Sequence, residues 1–248
     1  MPGQTCFNLE TILPKFDSVF STDCVIFGFH ANELKILLIE RNEEPYKGWR
    51  ALPGYIVKAD ESIDDAAERI LYELTGLRDL HMEQFHTFGD VDRHPQGRVI
   101  TVAYYALIRI DTQQELKPVT NFARSASWYP VNELGKLPFD HRKVFETGFR
   151  KIRRRLSYQP IAFELLPEKF TLTQLQTLYE AILNKKLDKR NFRKKMLSYG
   201  FLKELGEKQK GVSYRAAKLY RFDRRKYNKI FQNELGIASP QPSAKNKE

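Results

Sequence analysis

Between residues 52 and 77 the chain reads LPGYIVKADESIDDAAERILYELTGL, and its charged residues are spaced for chemistry on a helix. Positions 70, 73 and 74 lie three and four apart, so they share one helix face. Carboxylates there would offer oxygens to Mg²⁺, a hard ion that demands tight octahedral geometry. Such an ion neutralises a pyrophosphate and activates the attacking water. The residues at these positions are Ile70, Glu73 and Leu74, so one carboxylate is present of three, and aliphatic groups cannot coordinate a cation. Asp64, Asp65 and Glu68 stand nearby. They are either a displaced cation site or, the reading preferred here, solvated acids in the first turns of a helix, where they suit its macrodipole. Arg69 and Glu73, at i and i+4, are expected to form a structural ion pair. Glu61 is expected to cap or anchor the loop before the helix.

The segment resembles a Nudix box with its metal carboxylates replaced. That box runs Gly, five residues, Glu, seven residues, Arg-Glu, an aliphatic, one residue, Glu-Glu, one residue, Gly, an aliphatic. With Glu61 on the first Glu, Arg69, Glu73, Gly76 and Leu77 fall into register, while Tyr55, Ile70 and Leu74 depart from it. The resemblance implies a loop–helix–loop that once presented acids to Mg²⁺. Glu61, Arg69 and Glu73 remain as its vestige. No catalytic residue, metal or cofactor is assigned, and the domain is expected to bind a ligand, not to cut one.

The flanking elements must position this motif. CVIFGFH (Cys24–His30) and LKILLIE (Leu34–Glu40) are apolar, β-branched runs around Ala31-Asn32-Glu33 and read as a hairpin. A helix is expected from about Ser62 to Thr75, with Ala66, Ile70, Leu71 and Leu74 as its apolar stripe and Gly76 at its C-terminal stop. Strands are expected within His81–Val91 and Arg98–Ile110, the second nearly continuous in apolar residues as in a central strand. A strand and a short helix follow in Ser125–Phe139, then a helix over Asp140–Leu156. Order and content imply a Nudix α/β/α sandwich over residues 15–155.

Asp90, Asp92, Arg93 and Arg98 surround His94-Pro95-Gln96-Gly97, a turn by composition. Arginine offers a planar fork of donors suited to phosphate or sugar hydroxyls, and aspartate accepts from hydroxyls. These four are effector-binding candidates, with Arg50 as a weaker one. A solvated turn between two strands explains the cluster equally well. The stretch Phe88–Leu107 resembles the corresponding part of Nudix-derived bacterial regulators and their ADP-ribose-handling relatives.

Charge divides the chain. Residues 1–150 carry 17 Lys and Arg against 22 Asp and Glu, a net of −5, whereas residues 151–235 carry 22 against 8, a net of +14. A split this sharp argues for two domains, the basic one suited to a polyanion. In EKFTLTQLQTLYEAIL (Glu168–Leu183) Thr171 and Gln174 form a capping-box pattern, and Leu175, Leu178, Tyr179 and Ile182 an apolar stripe. Asp188 is a good N-cap for KRNFRKKMLSY, and Gly200 ends that helix. Phe192, Met196 and Tyr199 are expected to face inward, and Lys189, Arg190, Arg193 and Lys194 outward. Two alternating segments, Phe201–Leu205 and Ala216–Phe222, flank the loop GEKQKGVSYRA. Helix, turn, basic helix and hairpin make a winged helix-turn-helix over residues 156–235, whose basic helix enters the major groove. Arg190 and Asn191 are candidates for base edges. Lys208, Lys210, Ser213, Tyr214, Arg215 and Lys218 of the wing are candidates for phosphates. Arg153, Arg154 and Arg155 either touch a phosphate or end a helix in solvent. Residues 236–248 are expected to be a disordered tail.

Two cysteines, Cys6 and Cys24, give no disulfide framework and no metal spacing. The chain shows no signal peptide and no long apolar run, so a cytoplasmic protein without membrane contact is expected. The fold class is α/β (α+β): the Nudix sandwich followed by the winged helix. The combination resembles the Nudix-related transcriptional regulators of NAD metabolism or pentose use. That resemblance implies a homodimer on a double-stranded DNA operator and a sugar or nucleotide-sugar effector, an arabinose-like pentose first and ADP-ribose second. The rival is a working Nudix hydrolase of nucleoside diphosphate derivatives with an accessory nucleic-acid-binding domain. A third reading makes the basic domain a protein-interaction module.

Overall fold

The computed structural model describes residues 18–110, 115–156, 161–209 and 216–235, with side chains described up to Lys229. It divides into two compact units, Met1–Leu165 and Leu166–Glu248. The division falls later than the expected boundary at 155/156. The reason is that Ile161, Ala162 and Leu165 are buried in the first unit. The tail 236–248 and the start of the chain lie outside the described residues.

The first unit is built on a seven-stranded mixed sheet. Strand β1 (Ser18–His30) and β2 (Glu33–Arg41) form the expected hairpin, closed by Ala31 and Asn32 at φ 51° and 63°. Two left-handed residues make the turn that matches strand twist, and Glu33 already pairs with His30. The N-terminal half of β1 pairs with β4 (Gly54–Ile56), and its other edge runs parallel to β6 (Arg98–Arg109). Outside these lie β3 (Arg50–Ala51) and β7 (Ala123–Pro130) against β2, and β5 (Glu83–Phe88) against β6.

Successive side chains of a strand point to opposite faces, and β1 uses both. Cys24 and Ile26 join the core beneath helix α1 (Ile63–Thr75), with Ile70, Leu71 and Leu74. Phe27 points the other way and stacks on Phe145 and Phe149 of helix α2 (His141–Leu156), at 6.0 and 5.7 Å between ring centres. Helices thus cover both faces of the sheet, which is the expected sandwich. Burying these large side chains contributes roughly 1.5–3 kcal/mol each.

The second unit holds helices α3 (Leu172–Leu183), α4 (Lys189–Ser198) and α5 (Arg224–Leu235). Its sheet has the order β8 (Phe170–Thr171), β10 (Lys218–Phe222), β9 (Leu202–Lys208). Helix–turn–helix with a hairpin wing is present as expected, and β8 and α5 are additions to it. Among the described residues no helix is long and apolar enough to cross a membrane.

Candidate functional site

Helix α1 is held at both ends by its sequence. Ser62 caps it, accepting from the Asp65 amide, and Gly76 closes it at φ 79° with its N–H on the Tyr72 carbonyl. At Gly76 a Cβ would lie 2.8 Å from the Lys117 carbonyl oxygen, so glycine serves both conformation and space. Glu61 does anchor the loop. It accepts from the Lys58 amide at 2.8 Å and from Arg69 at 2.7 and 2.5 Å. Arg69 also reaches Glu73 at 2.9 Å, the expected i,i+4 pair, and the Ile56 carbonyl at 3.1 Å. The Arg69 guanidinium holds the Glu61 carboxyl well down, at about 2.

The two remaining acids of the box therefore share one arginine as their partner. Ile70 and Leu74 are fully buried among Cys24, Ile26, Leu37, Ala51 and Tyr104. They occupy the core; they do not line a solvent-facing cleft. Of the neighbouring acids, Asp64 accepts from the Tyr104 hydroxyl, Asp65 bonds Ser62, and Glu68 is exposed. Among the described residues no three His, Cys, Asp or Glu side chains are grouped to hold a metal ion. The donor set does not fit Mg²⁺, which needs several converging oxygens.

The four effector candidates of the β5–β6 turn do not converge. Arg93 turns inward and is buried. Its guanidinium takes Asp140 by two bonds at 3.0 and 2.6 Å, Asp23 at 3.3 Å, and the Thr101 hydroxyl. It pins β1 and the turn to the start of α2, so the structure gives this ligand candidate internal partners. Arg98 donates to the Gly89 carbonyl, Asp90 pairs with Lys143, and Asp92 is exposed. Asp23, Asp140 and His141 were not picked out by sequence reasoning, because only the fold brings them to Arg93. Burial pushes Asp23 up to about 6 against the opposing pull of Arg93. Burial also holds His141 down at about 3, and its neutral ring accepts from the Leu52 amide at 3.1 Å. Gly54 backs this cluster, since a Cβ there would collide with the Asp23 carboxylate.

Arg50 lies elsewhere. Its guanidinium covers the Tyr129 ring at 4.2 Å and borders a recess of about 330 Å³ with Trp49, Glu133 and Lys136. A second recess of about 430 Å³ shares Trp49 and residues 135–137 and adds Tyr46, Phe139 and Arg142. Trp49 is exposed and the other rings are partly buried, and rings beside cations suit a planar base and an anion.

In the second unit, Thr171 and Gln174 form the capping box, at 3.1 and 2.8 Å. Asp188 caps α4 by accepting from the Asn191 amide at 2.8 Å. Between the helices Glu180 accepts from the Leu187 amide at 3.0 Å, from Gln176 at 2.9 Å and from Lys186 at 3.2 Å, a clamp that helical spacing alone did not reveal. Phe192 and Met196 are buried as expected, whereas Tyr199 is exposed and stacks on Phe201. Lys189, Arg190, Asn191, Lys194 and Lys195 form an exposed face without a single acid. Arg193 departs from that face. Half-buried, it reaches back to the Thr173 hydroxyl at 3.2 Å and bridges α4 to α3.

On the wing, Lys208 is exposed, but Lys218 is paired with Glu204 at 2.7 Å. Lys210, Ser213, Tyr214 and Arg215 lie outside the described residues. In α2, Arg155 pairs with Glu83 at 2.6 Å and Arg153 covers the Phe149 ring at 4.2 Å, so packing occupies both.

Residues 19–148 match the NUDIX domain family, and residues 162–222 match the NrtR DNA-binding winged helix domain. The chain is 33% identical to the ADPR responsive transcriptional repressor NtrR of Acinetobacter baylyi over 221 residues, 88% of this chain and 87% of that protein. It is 32% identical to the ADP-ribose pyrophosphatase of Methanocaldococcus jannaschii over 138 residues, 56% of this chain and 79% of that protein. Among solved structures, Shewanella oneidensis NrtR complexed with a 27mer DNA is similar at a TM-score of 0.66 and 27% identity, covering 84% of this chain and 95% of that one.

Proposed function

The chain belongs to the Nudix-related transcriptional regulators, a NUDIX domain followed by an NrtR-type winged helix, and from that premise we propose that it represses or activates an operator in response to ADP-ribose. It is a DNA-binding regulator whose first unit senses a small molecule and whose second unit carries the reading helix α4. The observation that carries the sensing role is the filled metal corner: Ile70 and Leu74 are core residues, and Glu61 and Glu73 are both paired to Arg69. A domain so built keeps the fold that recognises a nucleotide sugar and lacks the oxygens that hold Mg²⁺. The names of both relatives favour ADP-ribose over the arabinose-like pentose that sequence reasoning ranked first.

The ligand site proposed is the pair of recesses around Trp49. Arg50 and Lys136 would meet the diphosphate, and the Trp49, Tyr46 and Tyr129 rings the base. A homodimer is proposed through the first units. Val19 and Ile56 are exposed apolar residues that the β1–β4 pairing, Ser21 opposite Ile56, places on one face of the sheet, a start for the kind of patch a second copy covers. Two copies would set two α4 helices on a palindromic site. ADP-ribose changes DNA affinity only by preferring one arrangement of the dimer over another.

The test is fluorescence anisotropy with the DNA upstream of the chain's own operon, titrated with ADP-ribose and with arabinose. ADP-ribose should shift operator affinity, and Arg50→Ala should weaken that response. An affinity indifferent to ADP-ribose would remove it as effector. The pyrophosphatase relative favours a second reading, residual hydrolysis. ADP-ribose turnover with Mg²⁺ that vanishes in Glu73→Gln would establish it.

A further inference from the structure

Helix α5 begins at Arg224, beyond the winged-helix match that ends at residue 222. We infer that α5 is a second DNA-contacting element, which grips phosphates beside the recognition helix without reading sequence. The inference rests on the DNA-binding role of the second unit.

Three observations carry it. First, α5 starts where α4 stops. The Asp223 amide donates to the Phe201 carbonyl at 2.8 Å, and Tyr227 packs its ring on Phe201 and Phe222 at 5.7 and 5.8 Å. Phe201 in turn stacks on Tyr199, just past the end of α4. The first turns of α5 are therefore fixed beside the C-terminal end of the reading helix. Asp223 caps them through the Lys226 amide at 3.0 Å.

Second, with Tyr227 directed inward, Arg225, Lys226 and Lys229 are exposed. Residues 225 and 229, and 226 and 229, are neighbours on a helix surface. No acid occurs between Arg224 and Asn233. The three cations span about 6 Å along the helix, and DNA places a phosphate every ~3.4 Å along each strand.

Third, three cations around the hairpin already hold carboxylates. Lys218 is paired with Glu204 at 2.7 Å, Lys169 with Glu207 at 2.8 Å and Arg221 with Glu168 at 2.9 Å. Cations that already hold carboxylates release few counterions from DNA, so the exposed cations of α4 together with Arg225, Lys226 and Lys229 supply more of the phosphate term. Two lysines and one arginine on consecutive turns suit phosphates.

The experiment compares the full chain with the Arg225→Gln, Lys226→Gln, Lys229→Gln triple variant, on operator DNA and on a scrambled duplex, over roughly 50–300 mM salt. Losing two to three phosphate contacts should lower the slope of log affinity against log salt by about 2, at ~0.9 per contact. Affinity should fall for both duplexes by a similar factor, leaving their ratio within about threefold. The melting temperature should hold, because the three side chains are exposed. An unchanged slope places α5 off the DNA, and a collapse of the operator-to-scrambled ratio makes it a sequence reader; either overturns the inference. If the parent chain binds neither duplex, the DNA-binding role itself fails first, and the inference falls with it.

Discussion

Replacing Arg93 with methionine separates an internal role from a ligand-binding one. The parent guanidinium is 4% exposed and is the shared partner of Asp140 and Asp23. Methionine keeps the volume and leaves two carboxylates without their cation. Breaking a buried pair costs roughly 3–5 kcal/mol. At about 2–4 °C per kcal/mol for a unit of this size, the melting temperature should fall by roughly 6–20 °C. The loss should also depend on pH. Asp23 sits at about 6 in the parent, above its ordinary 3.8, because burial outweighs Arg93. A raised value means that its contribution is complete below pH 3.8 and is lost as pH rises through 6. Without Arg93 the value rises further. Above pH 6 the variant must keep a proton that the parent has released, and the gap widens by about 1.4 kcal/mol per unit. Below about pH 5.5 both forms hold Asp23 neutral, so the gap is smallest there. Chemical denaturation at pH 5.5 and 8, together with ADP-ribose binding to the folded variant, gives the answer. A loss under about 1 kcal/mol, or one no larger at pH 8, refutes the account of Arg93 as an internal clamp. So does normal stability combined with lost ligand binding.

Other outcomes follow from the same geometry. Glu61 is held at about 2, below its ordinary 4.5, so its contribution is present above pH 4.5 and is lost as pH falls towards 2. Glu61→Gln should flatten the acid limb of the urea midpoint, and an unchanged limb would contradict the Arg69 anchor. Gly76→Ala forces an L side chain to φ 79° against the Lys117 carbonyl and should cost at least about 1–2 kcal/mol in denaturation midpoint. On the DNA side, Lys189→Ala with Arg190→Ala should reduce the salt slope by about 2, whereas Lys218→Gln should change it by well under 1, because Glu204 already holds that lysine. Equal slopes for the two variants would deny the difference between the helix and the wing.

Local signals in the chain specified local structure. Ser62 and Gly76 bracket α1, Thr171 with Gln174 starts α3, and Asp188 starts α4, each by a side chain acting on the backbone within three or four residues. Apolar, β-branched runs in β1 and β2 revealed the hairpin, although its turn is the pair Ala31-Asn32, one residue shorter than read. What stayed hidden depends on distance along the chain. Arg93 sits among polar turn residues and looks solvated, and its partners lie 47 and 70 positions away. Ile70 and Leu74 were legible both as missing ligands and as part of the apolar stripe of α1, and the sheet supplies the partners Cys24, Ile26 and Leu37 against which they pack. Tyr199 carries the spacing of an inward residue, yet it lies past the end of α4 and turns outward. Helix α5 offers mostly cations and amides to a reader of apolar stripes, so its existence was not foreseen.

The infilled corner under α1 gives the molecule's history a direction. A single reversion of Ile70 or Leu74 to glutamate would sink a carboxylate into hydrocarbon, and that burial is severely unfavourable with no cation in place to receive it. Offering an ion several oxygens there would take both changes together, and neither helps alone. Such a corner works like a ratchet: single substitutions there are penalised by burial, so change in this domain is expected at the exposed recesses before it is expected under α1.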